Sequence, residues 1–150
     1  MKKKRTITGI TVSVAAAQMR SRPSMAAAAD AVADMIARAA RRGARFLVTP
    51  EMILTGYHGR FDQAERDRLV DGVIRPACAR CGVALILGAG SYRDARGRPV
   101  RKPRIQVTVI DRDGRVIGWH DKTIPTGGDL KWCSRGEPRR LRVFRTGGLT

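Results

Sequence analysis

The sequence predicts an α/β layered fold, and three observations support this prediction. Short apolar runs alternate along the chain with longer segments of helical periodicity. Two of those runs, at 46–48 and 83–87, are continuously apolar, which is typical of strands buried on both faces. An Asp-Gly turn at 113–114 lies between two further apolar runs, as in a β-hairpin. With 150 residues, the chain is one domain or part of one.

The first elements are a strand, a helix and a second strand. Apolar and hydroxyl side chains alternate over 10–14, which is the period of a strand. Ser24 is a favourable N-cap for an alanine-rich helix that runs towards Arg42, and Gly43 supplies its C-terminal stop. The apolar run at 46–48 then forms the next strand.

A second helix and a third strand follow. Asp62 and Glu65 have the spacing of a capping box, which predicts that the helix begins there. Pro76 lies inside the helical pattern, so we expect it to kink or split the helix. The apolar strand at 83–87 is expected to end at Gly88 and Gly90.

The last third of the chain contains a hairpin, a loop and one more strand. The hairpin pairs 105–110 with 116–119 around the Asp-Gly turn. Glycines and prolines from 123 to 138 indicate a loop. The apolar residues of 141–144 predict a final strand close to the end of the sequence, so the domain is expected to be incomplete.

The net charge of +17 favours a binding function as an alternative to catalysis, because basic proteins associate with polyanions. Many arginines, such as Arg38, Arg66 and Arg80, occupy positions typical of solvated helix faces. Denser basic runs lie at 2–5 and 135–145, where Phe144 is the one aromatic residue available for base stacking. No recognisable nucleic-acid-binding motif accompanies them, so nucleic-acid binding ranks second.

The cysteines and the hydropathy indicate where the protein works. An odd number of cysteines, Cys78, Cys81 and Cys133, without a clear secretory signal predicts free thiols and a cytoplasmic location. The Cys-x-x-Cys pair has no second pair of ligands at suitable spacing, so neither a metal nor a cofactor is expected. No stretch reaches the length of a membrane span, and no membrane association is expected.

Two residues stand where an α/β protein places its chemistry. Glu51 directly follows the strand at 46–48, at the edge where the active sites of such folds lie. A carboxylate that is partly desolvated there is suited to proton transfer near neutral pH. Lys122 follows the hairpin. A single Glu or Lys at such a position is more often an ordinary surface residue than a catalytic one. The surrounding motifs decide between a surface role and a catalytic role.

Those motifs resemble the nitrilase superfamily of carbon–nitrogen hydrolases. The first is Gly-Ala-x-Phe-Leu-Val-x-Pro-Glu followed by Leu-Thr-Gly-Tyr, over 43–57. The second is Asp-Gly-Arg-Val-Ile-Gly-Trp-His-Asp-Lys-Thr-Ile, over 113–124. The third is Gly136 before the apolar run at 141–144. They occur in the family's order and cover nearly the whole chain.

The resemblance implies a fold and an activity. The fold is a four-layer α-β-β-α sandwich, of which residues 1–150 are the N-terminal part, incomplete at the C-terminus. The activity is thiol-based hydrolysis of a non-peptide C–N bond in a small amide, nitrile or carbamoyl substrate. Family members commonly pair into dimers, so a homo-oligomer is expected of the full-length protein.

The resemblance also assigns roles to residues. Glu51 is the general base, and Lys122 stabilises the developing oxyanion. Counting back from Gly136 places Asp129 at the position of a second acid that many members carry. The family's cysteine nucleophile, in a Gly-x-x-x-Cys motif, lies after the point where this sequence ends, so we expect the isolated chain to be inactive. Asp121 stands where the family usually has a basic residue, and it is expected to be a salt-bridge partner.

Overall fold

The computed structural model describes residues 11–137 and 143–146. Its regular elements are, in chain order, β1 (Val14–Ala16), α1 (Met25–Arg41), β2 (Phe46–Val48), α2 (Gln63–Leu69), α3 (Arg75–Cys81), β3 (Ala84–Arg93), β4 (Pro99–Ile110) and β5 (Val116–Asp121). A π-helical turn at Val70–Ile74 joins α2 to α3, and a short 3-10 turn occupies Asp129–Lys131.

One mixed sheet forms the centre of the fold, with strand order β1-β2-β3-β4-β5. The first three strands are parallel, whereas β4 and β5 join antiparallel to β3 and to each other. The helices cover one face, and the core between them and the sheet contains Val32, Ile36, Ile74, Leu85 and Leu87, all fully buried. The prediction of an α/β layered fold is confirmed.

On the opposite face, the β1–β2 end of the sheet is only partly covered in the described part of the chain. Val14, Phe46, Val48 and Ile86 line an apolar groove there, and Val14 is 62% exposed. The prediction that the strand at 46–48 is buried on both faces is therefore wrong for this chain, because helices cover the strand on one side alone. The described residues supply a helical layer and a sheet, two of the four layers expected.

Helix α1 has the predicted ends. The Ser24 hydroxyl accepts a hydrogen bond from the backbone N–H of Ala27 at 3.1 Å, which satisfies one of the free donors of the first turn. After Arg41 the chain leaves the helix, and Gly43 adopts a φ of 73°, a conformation that glycine reaches without steric cost.

The second helical segment is capped and divided as predicted. The Asp62 carboxylate accepts from the backbone N–H groups of Ala64 and Glu65, at 2.7 and 3.0 Å. Pro76 lies at the start of α3, directly after the π-helical turn. Proline has no N–H to donate and its ring crowds the preceding turn, so a wider turn there accommodates it.

Strand β3 is longer than predicted. It continues through Gly88 and Gly90 to Arg93, because β4 pairs with it across both glycines. A side chain on Gly88 would collide with the carbonyl of Pro50, and its Cβ would lie 2.9 Å from the Cα of Glu51. The glycines therefore permit close packing rather than end the strand. The turn that joins β3 to β4 was also not predicted.

The predicted hairpin forms, whereas one arginine expected in solvent is buried. The hairpin of β4 and β5 is confirmed, with a turn closed by hydrogen bonds from the N–H groups of Asp113 and Arg115 to the Asp111 carboxylate. Arg66, expected in solvent, is only 5% exposed because its guanidinium donates to the Thr108 hydroxyl at 2.8 Å.

The terminal predictions fall largely outside the described residues. The basic run at 2–5 and the start of the strand predicted at 10–14 lie there, and the first strand begins only at Val14. Of the strand predicted at 141–144, the described residues Val143 and Phe144 are not in a strand.

We predict that Gly88→Ala lowers the free energy of unfolding by about 1–3 kcal/mol, because the added Cβ forces the backbone of Pro50 and Glu51 away from β3. Gly72→Ala is the matched control, since a Cβ there meets nothing within 4 Å and Gly72 lies in a helical segment. Urea unfolding of both variants measures the difference. Equal stabilities for the two would contradict the close packing.

Candidate active site

Three charged side chains from separate parts of the sequence meet at one edge of the sheet. The Lys122 ammonium lies 2.9 Å from Oε1 of Glu51 and 3.1 Å from Oδ2 of Asp129. Glu51 and Lys122 are 71 residues apart in the sequence. The structure thus brings together the three residues that the sequence singled out. Their chemical roles remain proposals.

A tightly held turn presents Glu51. The hydroxyls of Thr49 and Thr55 accept hydrogen bonds from the backbone N–H groups of Gly88 and Gly90, at 2.9 and 2.7 Å. Met52, the next residue after Glu51, is fully buried with a φ of 57°, which is uncommon for any residue but glycine. The turn is therefore fixed at both ends and at its centre. The Glu51 side chain itself is 38% exposed.

Lys122 is fixed at its backbone and charged at its tip. Its N–H donates to the carbonyl of Ile105 at 2.8 Å, and its own carbonyl accepts from Gly136 at 2.9 Å. The hydrogen bond to Glu51 raises the pKa of Lys122, and Asp129 adds to the effect against a smaller opposing influence of burial. The side chain therefore stays cationic at neutral pH, and it can donate hydrogen bonds but cannot accept a proton.

A local motif holds Asp129. The Thr126 N–H donates to Oδ2 of Asp129 at 2.9 Å, and the Asp129 N–H donates to the Thr126 hydroxyl at 3.3 Å. The hydrogen bond from the Thr126 backbone is the largest influence that holds the pKa of Asp129 below its ordinary value, and Lys122 and the Thr126 hydroxyl lower it further, against an opposing influence of burial. The Thr-x-x-Asp pattern is the signature of such a reciprocal cap and could have revealed Thr126 in the sequence.

Two of the cysteines, one beside the site and one in the main core, are packing residues. Cys133 is 2% exposed beside Met52 and Ile105, and burial raises the pKa of its thiol. Cys78, in α3, is fully buried in the main core, and burial raises the pKa of its thiol to about 12. A nucleophile must be a thiolate, so neither cysteine fits that role.

Tyr57 is a further residue of the site to which the sequence gave no role. It is 60% exposed, and its pKa is raised by partial burial and then by the negative charge of Glu51. Its protonated phenol is therefore a hydrogen-bond donor facing solvent beside the charged cluster. Its place in the Leu-Thr-Gly-Tyr motif was the available signal.

Neither metal sites nor membrane spans emerge from the part of the chain that the structure describes. Within residues 11–137 and 143–146, no group of three or more His, Cys, Asp or Glu side chains could hold a metal ion. None of the described helices is long and apolar enough to cross a membrane.

Known proteins share this fold. Residues 13–147 match the profile of the family described as carbon-nitrogen hydrolase. An amidase from Nesterenkonia sp. AN1, solved as a cysteine-to-alanine variant in complex with butyramide, superposes with a TM-score of 0.73 at 22% identity, covering 84% of this chain and 49% of that one. A carbon-nitrogen hydrolase from Helicobacter pylori G27 gives a TM-score of 0.74 at 16% identity, covering 91% and 48%. The chain thus spans about half the length of these similar structures.

We predict that Asp129→Ala lowers the free energy of unfolding by about 1–2 kcal/mol at pH 7, because the Thr126 amide and Lys122 lose a charged acceptor. Since the pKa of Asp129 is lowered from 3.8, its contribution is complete above that value and disappears as the pH falls through the lower folded-state value. The deficit should therefore shrink towards pH 2. Urea unfolding from pH 7 to pH 2, with Asp113→Ala in the exposed hairpin turn as control, tests this. A deficit independent of pH would contradict it.

Proposed function

Because the chain belongs to the carbon–nitrogen hydrolase family, we propose that it hydrolyses a non-peptide C–N bond in a small amide, nitrile or carbamoyl compound. The observation that carries the proposal is the position of the Lys122 ammonium between the carboxylates of Glu51 and Asp129. In the proposed reaction Glu51 exchanges protons, while Asp129 keeps the lysine oriented. No cofactor is needed for this chemistry.

Each residue has a role in the proposed reaction on an amide. Glu51 accepts the proton of a cysteine thiol, and the thiolate adds to the carbonyl carbon. Lys122 stabilises the resulting oxyanion, a contribution on the order of several kcal/mol in a closed site. The C–N bond breaks as Glu51 returns the proton to the departing nitrogen. Water, deprotonated by Glu51, then cleaves the thioester and regenerates the thiol.

We propose that the nucleophilic cysteine lies beyond these 150 residues. The support is that Cys78 and Cys133 are buried with raised thiol pKa values, and that similar structures are about twice as long as this chain. Sequencing the coding DNA beyond the codon for Thr150 tests this directly. A continuation into a strand that ends in Gly-x-x-x-Cys supports the proposal, and a stop codon contradicts it.

The remaining properties of the protein are proposals of the same kind. An amide substrate is supported by the butyramide complex of the similar amidase. The apolar groove of Val14, Phe46, Val48 and Ile86 is a surface on which the other two layers of the sandwich would pack. A homo-oligomer of the full-length protein and a cytoplasmic location complete the proposal, the latter supported by the free state of all three cysteines.

The decisive experiment measures ammonia release from butyramide by the protein extended to include the thiol. Glu51→Gln and Lys122→Met should each lower kcat by about 10²-fold or more, because one removes the base and the other the oxyanion's cationic donor. Lys131→Met is the matched control, since Lys131 is an exposed lysine close in sequence to Asp129. The isolated 150-residue chain should release no ammonia. Turnover by that chain, if it is lost in Glu51→Gln, would contradict the proposal that the nucleophilic cysteine lies outside these 150 residues.

Binding of a nucleic acid is the second candidate function. Arg101, Lys102, Lys131 and Arg135 are exposed and form no ion pair within the described part of the chain. Hydrogen bonds from Ser134 to the carbonyls of Lys102 and Pro103, at 3.0 and 2.9 Å, bring the two basic segments together. The two segments together present four exposed cationic side chains to a polyanion.

If these side chains bind nucleic acid, affinity for a single-stranded oligonucleotide falls steeply with salt, and replacing all four basic residues by Gln reduces the salt dependence. The double variant Glu51→Gln, Lys122→Met should bind as the wild type does. Fluorescence anisotropy from 50 to about 500 mM salt measures both effects. Weak binding that the four-residue variant leaves unchanged would eliminate this candidate.

A further inference from the structure

Asp121, the residue before Lys122, is a buried carboxylate held by neutral donors. It is 6% exposed, its Oδ1 accepts from the side-chain amide of Gln106 at 2.8 Å, and its Oδ2 accepts from the backbone N–H of Ala95 at 3.0 Å. Among the described residues it forms no ion pair, and the salt-bridge partner expected of it is not found there. The carboxylate instead ties the end of β5 to β4 and to the turn between β3 and β4.

The partners of Asp121 are themselves fixed. Gln106 pairs with Asp121 across β4 and β5, and its amide also donates to the carbonyl of Arg93 at 3.1 Å. On the other side, Gly136 packs so closely that a Cβ on it would lie 2.7 Å from the Cβ of Asp121. The same glycine donates its N–H to the carbonyl of Lys122 at 2.9 Å.

This arrangement fixes the point from which the Lys122 side chain leaves the sheet. Neighbouring side chains along an extended chain point to opposite faces of the sheet. The Asp121 side chain can therefore form its hydrogen bonds on one face while the Lys122 side chain extends over the other. Burying a charge is unfavourable unless it is well hydrogen-bonded, and hydrogen bonds to a charged acceptor are strong. A carboxylate at this position therefore supplies rigidity that an apolar residue of similar size would not.

We propose that Asp121 is a positioning residue of the active site, which acts through Gln106 and Ala95 to set the contact of Lys122 with Glu51 and Asp129. The inference deepens the proposed function, because it matters for catalysis only if Lys122 stabilises the oxyanion. The placement of Lys122, however, can be measured without any turnover.

The test measures how fast an amine-specific acylating reagent modifies Lys122 relative to Lys131 in the 150-residue chain at pH 8, by peptide mass spectrometry. In the wild type Lys122 should react slowly, because its two carboxylate partners keep it protonated and occupied. Asp121→Asn and Gln106→Met should each raise the relative rate several-fold. Asp111→Asn is the matched control, since it alters a carboxylate of the other hairpin turn and should leave the ratio unchanged.

An unchanged ratio in folded Asp121→Asn and Gln106→Met overturns the inference. Circular dichroism establishes folding, and if Asp121→Asn does not fold, Gln106→Met decides, because it removes one donor and leaves the carboxylate in place. A wild-type Lys122 that reacts as fast as Lys131 also overturns it, since the ion-paired arrangement would then be absent. Loss of the proposed hydrolase activity alone changes none of these rates, so the two proposals can fail separately.

Discussion

The close approach of two backbones is the constraint on which the site depends. The turn that carries Glu51 lies directly on β3 at Gly88, where no side chain fits. Two threonine hydroxyls of this segment accept hydrogen bonds from the N–H groups of Gly88 and Gly90. Glu51 thereby lies over β3, whereas Lys122 leaves from β5, two strands further across the sheet. Two strand spacings are roughly 10 Å, a gap that long side chains such as Glu and Lys can close between them.

The sequence predicts local features of this fold well and non-local ones poorly. The caps at Ser24 and Asp62 and the hairpin turn at Asp111 depend on residues within a few positions, and all three form as expected. The extension of β3 through Gly88 was missed, because glycine is unfavourable in strands unless a long partner such as β4 pairs across it. The burial of Arg66 depends on Thr108, 42 residues away, and no helical pattern reveals such a partner.

In the candidate site, too, individual residues were predicted from the sequence, but the contacts between distant residues were not. Glu51 and Lys122 were identified from family motifs, and Asp129 from its spacing to Gly136, while their meeting required the sheet to bring them together. The hydrogen-bond partners of Asp121 were not predicted, since they lie 15 and 26 residues away, one in β4 and one in the turn between β3 and β4. The overall charge of +17 was equally uninformative about the site, where two carboxylates surround one ammonium.

The π-helical turn between α2 and α3 has a consequence for the register of the chain. Such a turn contains one residue more than an α-helix needs, and one residue corresponds to roughly 100° of rotation about the helix axis. The turn absorbs the extra residue, so the helical segments on either side of it keep the same face towards the sheet. Arg66 and Ile74 are therefore both buried, although their separation in a continuous α-helix would turn them apart by roughly 80°. Removing a single residue such as Gly72 would restore a continuous α-helix and leave Arg66 and Ile74 on the same face. Any alignment of this chain with a protein that lacks the turn therefore requires a one-residue gap here.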